Sequence, residues 1–324
     1  MGHYMDLLFI ADPLEHFTSY DSTLVMMQEA HDRGFTISAC QPHDIRWSLG
    51  ECVSAAVQGI RLTGRAEEWF VTTGSCRSEL RSFDAVLMRK DPPFDLEYIH
   101  STHLLEQAER EGARVFNSPA GQRAHSDKLA ILEFPQFIAP TLVTRREADL
   151  RAFHAEHGDI ILKPLVGMGG RGIFRIRPDG MNLGVAIETL NRGGARTVMA
   201  QQFLPGISEG DKRVILIDGE PAPLVLARIP QGDEVRGNLS SGGKGVVMAI
   251  SEREREIAKA VGPTLAQRGQ LFVGLDVIDG HLTEMNVTSP TGMWQISYRT
   301  GFDAGSVFMD ALQSACARRH ERSR

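Results

Sequence analysis

The chain is 324 residues long, 42% hydrophobic and 23% charged, with a formal net charge of −6. This composition describes a soluble globular protein of two domains or three small ones. It excludes a membrane span, because no apolar run approaches about 18 residues, and argues against a general nucleic-acid binder.

The first strand signal is Leu7-Leu8-Phe9-Ile10, ending at Asp12-Pro13. Leu24, Met27 and Ala30 are spaced for one helical face over 23–33, and Gly34 stops the helix. Strands follow at Phe35–Ser38 and Ala85–Met88. A helix over Tyr98–Glu111 leads to a short strand at Val115-Phe116. Strands alternating with helices predict a mostly parallel open sheet in a first domain at 1–124. Beyond it, a helical stretch is expected near Lys128–Leu132. Strands are expected at Ile160–Pro164, Ile173–Arg177 and Val198–Gln202. Two hairpins follow: Arg213–Ile217 with Pro223–Arg228 through Asp218-Gly219, and Phe272–Ile278 with Leu282–Val287 through Asp279-Gly280. A helix over Glu252–Arg268 separates them, and the charged tail Ala317–Arg324 is expected to fray. Cys40, Cys52, Cys76 and Cys316 form no CxxC pair, so a reduced, cytoplasmic protein without a structural zinc site is expected. Met1–Asp6 lacks a basic region followed by an apolar stretch, so no secretory signal is expected.

Gly167-Met168-Gly169-Gly170-Arg171-Gly172 matches G-x-G-x-x-G, but a dinucleotide fold needs a helix directly after the loop. Here a strand follows. A strand–glycine loop–strand hairpin can instead fold over nucleotide phosphates, because glycine lets backbone N–H groups approach closely. Lys163, in an otherwise apolar strand just before the loop, needs an anion, and a phosphate would supply it. Lys128 is a candidate second phosphate contact; alone it would read as a surface lysine.

The second hairpin can place Asp276 opposite the Glu284–Asn286 stretch, with Glu284 and Asn286 on one face. Three oxygen donors without a nearby His or Cys suit a hard cation such as Mg²⁺. Arg213, Arg228 and Arg236 lie on or after the first hairpin. Arg89 stands at the C-terminal end of a parallel strand, where open α/β sheets place ligands. The aperiodic, glycine-bearing segment 229–245 suits a lid that would carry Arg236 and Lys244 over a substrate.

Several blocks, in order, resemble the bacterial glutathione synthetase family of ATP-grasp ligases. They are Val86–Asp95, Ile160–Gly170, Gly210–Val214, Asp218–Pro221, Leu226–Gly232, Arg236–Leu239 and Asn286–Thr291. The resemblance implies an α/β ATP-grasp fold with an N-terminal open parallel-sheet domain (1–124), a central lid subdomain (125–202) and a C-terminal catalytic subdomain (203–324). It implies ATP contacts at Lys128, Lys163, Gly167, Gly169, Gly170, Gln202, Phe203, Leu204 and Asp211. Two Mg²⁺ ions, or Mn²⁺, would sit on Asp276, Glu284 and Asn286. Arg213, Arg228 and Arg236 would act on the acyl phosphate, and Arg89, Ser289 and Thr291 would meet the peptide substrate. The implied reaction joins γ-glutamylcysteine to glycine, giving glutathione, ADP and phosphate. A homo-oligomer, a tetramer by resemblance, is expected, with no nucleic-acid or membrane partner.

Two positions depart from the family pattern. The basic-acidic pair after Pro290-Thr291 is replaced by Trp294-Gln295, and the lysine before Asp21-Ser22 is replaced by Tyr20. Because both lie where substrate could be felt, two alternatives stay open: an ATP-grasp peptide or amino-acid ligase with an altered substrate, and a non-catalytic ATP-binding homologue.

Overall fold

The computed structural model describes residues 4–18, 20–65 and 68–322. The first of three sheets comprises β1 (Asp6–Ile10), β2 (Thr36–Cys40), β3 (Ile45–Arg46), β4 (Ser54–Leu62), β5 (Phe70–Glu79), β6 (Ala85–Met88) and β7 (Val115–Phe116). Their order is β3-β4-β2-β1-β6-β7, with β5 on β4. β1 runs parallel to β2 and β6, and β6 to β7. The sheet is nevertheless mixed rather than mostly parallel, because β4 is antiparallel to β2, β3 and β5. β1 and β6 are almost wholly apolar and buried, as strands covered on both faces must be. Helix α1 (Ser22–Asp32) starts where the Asp21 carboxylate accepts the Thr23 N–H. Helices α2 (Leu96–Arg110) and α3 (Pro119–Ala124) complete this part.

The second sheet, order β10-β9-β11-β8, is antiparallel throughout. It contains β8 (Thr141–Thr144), β9 (Ile160–Pro164), β10 (Phe174–Ile176) and β11 (Val198–Gln202), covered by α4 (Glu147–His157) and α5 (Leu183–Asn191). The third sheet, order β14-β13-β12-β15-β16, contains β12 (Asp211–Ile217), β13 (Glu220–Ile229), β14 (Lys244–Ala249), β15 (Phe272–Ile278) and β16 (His281–Asn286). Both predicted hairpins are present. Their turns need left-handed backbone, and Asp218, Gly219, Asp279 and Gly280 all have positive φ. Helix α6 (Glu252–Gln267) opens on a capping box between Ser251 and Glu254, and α7 (Met293–Thr300) and α8 (Ala304–Arg322) close the fold.

Three local expectations change. The stretch near Lys128–Leu132 is a 3-10 turn at Ala130–Glu133, not an α-helix. The predicted lid segment holds a 3-10 turn at Leu239–Ser241 and the start of β14. The tail predicted to fray continues α8 to Arg322; Arg318 reaches Asp218 at 2.8 Å, giving that turn a tertiary anchor.

One apolar cluster joins the first and third sheets. Phe9, Met27 and Leu87 pack with Ile215, Leu226 and Phe272, and with Met293 and Phe308 of α7 and α8. Among the described residues no helix is long and apolar enough to cross a membrane.

Candidate active site

A cleft between the second and third sheets encloses about 890 Å³ of non-atom space, open solvent included. Its walls come from β9, the glycine loop, the end of β11, Asp211 at the start of β12, the facing strands β15 and β16, and residues 235–238. Of the predicted site residues it is lined by Lys128, Lys163, Gly167, Gly169, Gly170, Gln202, Phe203, Leu204, Asp211, Arg236, Asp276 and Glu284.

The two lysines arrive from different elements. Lys163 is the buried charged side chain of β9, and its ammonium lies 3.3 Å from the Thr283 carbonyl oxygen and 4.0 Å from Glu284 Oε1. Lys128 Nζ lies 3.3 Å from the same Glu284 oxygen and 3.5 Å from the Gly167 carbonyl oxygen. Burial pushes the Lys163 pKa down, and the Glu284 carboxylate opposes that shift. Two cations thus share one carboxylate, which leaves positive charge for a polyanion.

The glycine loop approaches the neighbouring 236–241 segment too closely for side chains. At Gly170, φ is +74° and an added Cβ would stand 2.6 Å from Asn238 Oδ1. The Ser241 hydroxyl donates to the Gly169 carbonyl oxygen at 2.7 Å, so the two loops meet over the cleft. Arg236 pairs with Glu234 at its rim.

In the carboxylate hairpin Asp276 stands directly opposite Glu284, and Gly274 opposite Asn286. Like charges directly opposite repel, so the arrangement calls for cations. Arg213, the cross-strand neighbour of Asp276, makes a two-toothed contact with it at 2.5 and 3.1 Å. Arg228 reaches Asp276 at 2.9 Å and also pairs with Asp211. Burial alone would raise the Asp276 pKa, but Arg213 and Arg228 overcome it and hold the carboxyl well below the usual range. Burial, opposed by Arg228, pushes Asp211 up to about 6. Asp211 lines the cleft, and its Oδ1 atom is buried without a hydrogen-bond partner.

Among the described residues no three His, Cys, Asp or Glu side chains converge as a metal site. The donor set is two carboxylates and a carboxamide, since Asn286 Nδ2 lies 3.3 Å from Asp276 Oδ2. Oxygen donors of this kind fit a hard divalent cation. Glu284 is the most accessible of the two carboxylates, because the Asp276 oxygens are already shared with two arginines.

The remaining predicted residues lie outside this cleft. Arg213, Arg228 and Asn286 stand behind Asp276. Arg89 is buried and braced, donating to Thr23 Oγ1 and to the Pro290 carbonyl oxygen, each at 3.1 Å. Ser289 bonds Asp91, and the Thr291 carbonyl oxygen accepts from Arg213. These contacts tie the first sheet to the 289–291 loop. The two departures, Tyr20 and Trp294, meet each other: their rings are edge-on at 4.5 Å, and Trp294 stacks on Tyr298 at 4.7 Å. Trp294 lines a separate groove beside α1, not the cleft. Sequence reading missed Asp127, whose carboxyl is pushed up to about 7 by burial and by the Glu284 charge. It also missed the contact of Arg175 with Phe203.

Residues 5–123 match the prokaryotic glutathione synthetase N-terminal domain, and residues 127–301 match the prokaryotic glutathione synthetase ATP-grasp domain. The chain belongs to the prokaryotic glutathione synthetase family. It is an ATP-grasp ligase by that membership. It is 55% identical to the glutathione synthetase of Ralstonia nicotianae, with 97% of each chain covered. It is 52% identical to that of Nitrosomonas europaea, covering 98% of this chain and 100% of that one. The fold is shared with the D-cycloserine synthetase DcsG at a TM-score of 0.67 and 17% identity, covering 96% of this chain and 99% of that one. It is also shared with the ATP-grasp ligase PsnB in complex with minimal precursor, Mg and ADP, at a TM-score of 0.60 and 18% identity, with 96% and 98% covered.

Proposed function

We propose that the protein joins γ-glutamylcysteine to glycine at the expense of ATP, releasing glutathione, ADP and phosphate. The observation that carries this reading is the meeting of Lys128 and Lys163 on Glu284, opposite Asp276, in the cleft of a chain about half identical to named glutathione synthetases over nearly its whole length.

In this reading Lys128, Lys163 and the backbone of Gly167, Gly169 and Gly170 grip the phosphates. Gln202, Phe203 and Leu204 border the adenine. Asp211, on the cleft wall, meets the ribose. Glu284, Asp276 and Asn286 would hold Mg²⁺, as two ions by family resemblance or with Mn²⁺ in its place, and the metal charge would offset that of the transferring phosphoryl group. A carboxylate is a poor electrophile for amide formation, and transfer of the γ-phosphoryl to it creates an acyl phosphate with a good leaving group. Arg213 and Arg228 bring positive charge to that side of the site, and Arg236 does so from the loop. The amine then attacks the acyl carbon and phosphate leaves. Ser241 on Gly169 helps close the cleft to water. Arg89 acts here by bracing the 289–291 loop, with Ser289 and Thr291 on the peptide side. The protein is placed in the cytoplasm as a homo-oligomer, a tetramer by family resemblance. The units 1–124, 125–202 and 203–324 serve as substrate-side domain, lid and catalytic subdomain.

Neither departure, Tyr20 nor Trp294, lines the nucleotide cleft, so both leave the ATP-handling residues as the reading requires, and the choice of donor and acceptor rests on the family relatives. The test is ADP release and glutathione formation with γ-glutamylcysteine and glycine, beside a panel of other donors and acceptors. Equal ADP and glutathione with this pair is expected. Turnover only with another pair would replace the reading, and nucleotide binding without ADP from any pair would favour a non-catalytic homologue.

A further inference from the structure

Phe203 lines the cleft just after the end of β11, beside Gln202 and Leu204. The Arg175 guanidinium carbon lies 3.5 Å from the centre of that ring. Arg175 is not itself among the residues that line the cleft. Its orientation is fixed by Asp159: Nε reaches Oδ1 at 3.0 Å and Nη2 reaches Oδ2 at 2.6 Å. The backbone of Asp159 holds the other member of the pair, because the Phe203 N–H donates to the Asp159 carbonyl oxygen at 2.9 Å.

One residue thus anchors both the cation and the ring it covers. A half-exposed ion pair by itself contributes little. Here the fork is two-toothed and its central carbon lies over an aromatic ring, a combination that arginine can make and lysine cannot. Arg175 sits on β10, the strand that leaves the glycine loop, opposite Ile161, another cleft residue. The contact therefore links the phosphate-side loop to the wall at the far end of the cleft.

We propose that Arg175 is a positioning residue for the nucleotide base: clamped by Asp159, it holds the Phe203 ring ready to pack against a purine. It reaches neither the phosphates nor the carboxylate hairpin, so its effect falls on nucleotide affinity and base preference rather than on phosphoryl transfer. This inference rests on the placement of ATP in this cleft proposed above.

The test measures the dissociation constant of ADP, and KM for ATP and kcat, in the full chain carrying Arg175→Met, Arg175→Lys or Lys163→Met. Arg175→Met is expected to weaken ADP binding and raise KM for ATP roughly three- to tenfold, with the loss in KM rather than kcat, and to narrow the preference for ATP over GTP. Arg175→Lys should fall between it and the parent. A double-mutant cycle with Phe203→Leu separates this role from general loosening: once the ring is gone, Arg175→Met should cost little more. Unchanged ADP affinity in Arg175→Met while Lys163→Met loses it would overturn the inference alone. Unchanged affinity in both would overturn the placement of ATP as well. A loss in kcat with KM intact, or an equal loss with and without the Phe203 ring, would also overturn the positioning role.

Discussion

Lys128 and Lys163 hold their ammonium groups 3.3 and 4.0 Å from one oxygen of Glu284, which makes that carboxylate the hinge of the site's charge balance. Glu284→Gln keeps size and shape but removes a charge that faces two lysines and would face a metal. It should lower kcat about 100-fold or more, with circular dichroism and melting behaviour close to the parent. Unchanged turnover would refute the metal-binding role. Asp127 gives a pH prediction. Its carboxyl is pushed up to about 7 from an ordinary 3.8, by burial first and the Glu284 charge second. Between those values the folded protein keeps a proton that the unfolded chain has released, so stability falls as pH rises through this window. In metal-free protein, Asp127→Asn should flatten the decline in melting temperature between about pH 4 and 7; an identical slope would contradict the burial argument. Trp294 is instructive in the other direction. Its ring packs on Tyr298 one helical turn away and on Tyr20, and only the second contact, across more than half the chain, is one that no local pattern encodes.

The elements that frame the cleft were the most legible. β9 and β11 have the residue bounds that their apolar runs predict, and both hairpins announce themselves through Asp-Gly turns with positive φ. The carboxylate hairpin was legible for the same reason, since turn position fixes which residues face one another. What stayed hidden depends on contacts between distant elements. β5 is rich in small polar residues and mostly exposed, so neither hydrophobicity nor alternation marks it as a strand; pairing with β4 does. The arginine clamp on Asp276 follows from β12 lying beside β15, a neighbour relation that hairpin reading does not give. The charged end of α8 read as a frayed tail because its anchor, Asp218, lies 100 residues away. The 232–245 segment carries a prediction at this scale. Its Ser241 and Asn238 pack on glycines that leave no room for side chains. Shortening it should raise the ratio of ADP released to glutathione formed, because water then reaches the acyl phosphate. Tight one-to-one coupling after the deletion would count against closure by this segment.

Across the whole molecule, three sheets divide the work. The second contributes Lys163 and the glycine loop, and the third contributes Asp211, Asp276 and Glu284. The first shares an apolar cluster with the third and sends Arg89 to hold the 289–291 loop. This shared core makes the first and third sheets one framework. The second sheet has its own core with α4 and α5 and joins the third sheet's core through Met199 of β11. The proposed chemistry requires a triphosphate and a divalent cation to meet between the second and third sheets. A crystal structure with ADP and Mn²⁺ tests it most directly through the anomalous scattering of manganese. The account predicts a manganese peak bounded by Asp276, Glu284 and Asn286, with a phosphate oxygen within hydrogen-bond reach of Lys163. Nucleotide density away from Lys163, or manganese bound elsewhere with those three side chains unengaged, would contradict it.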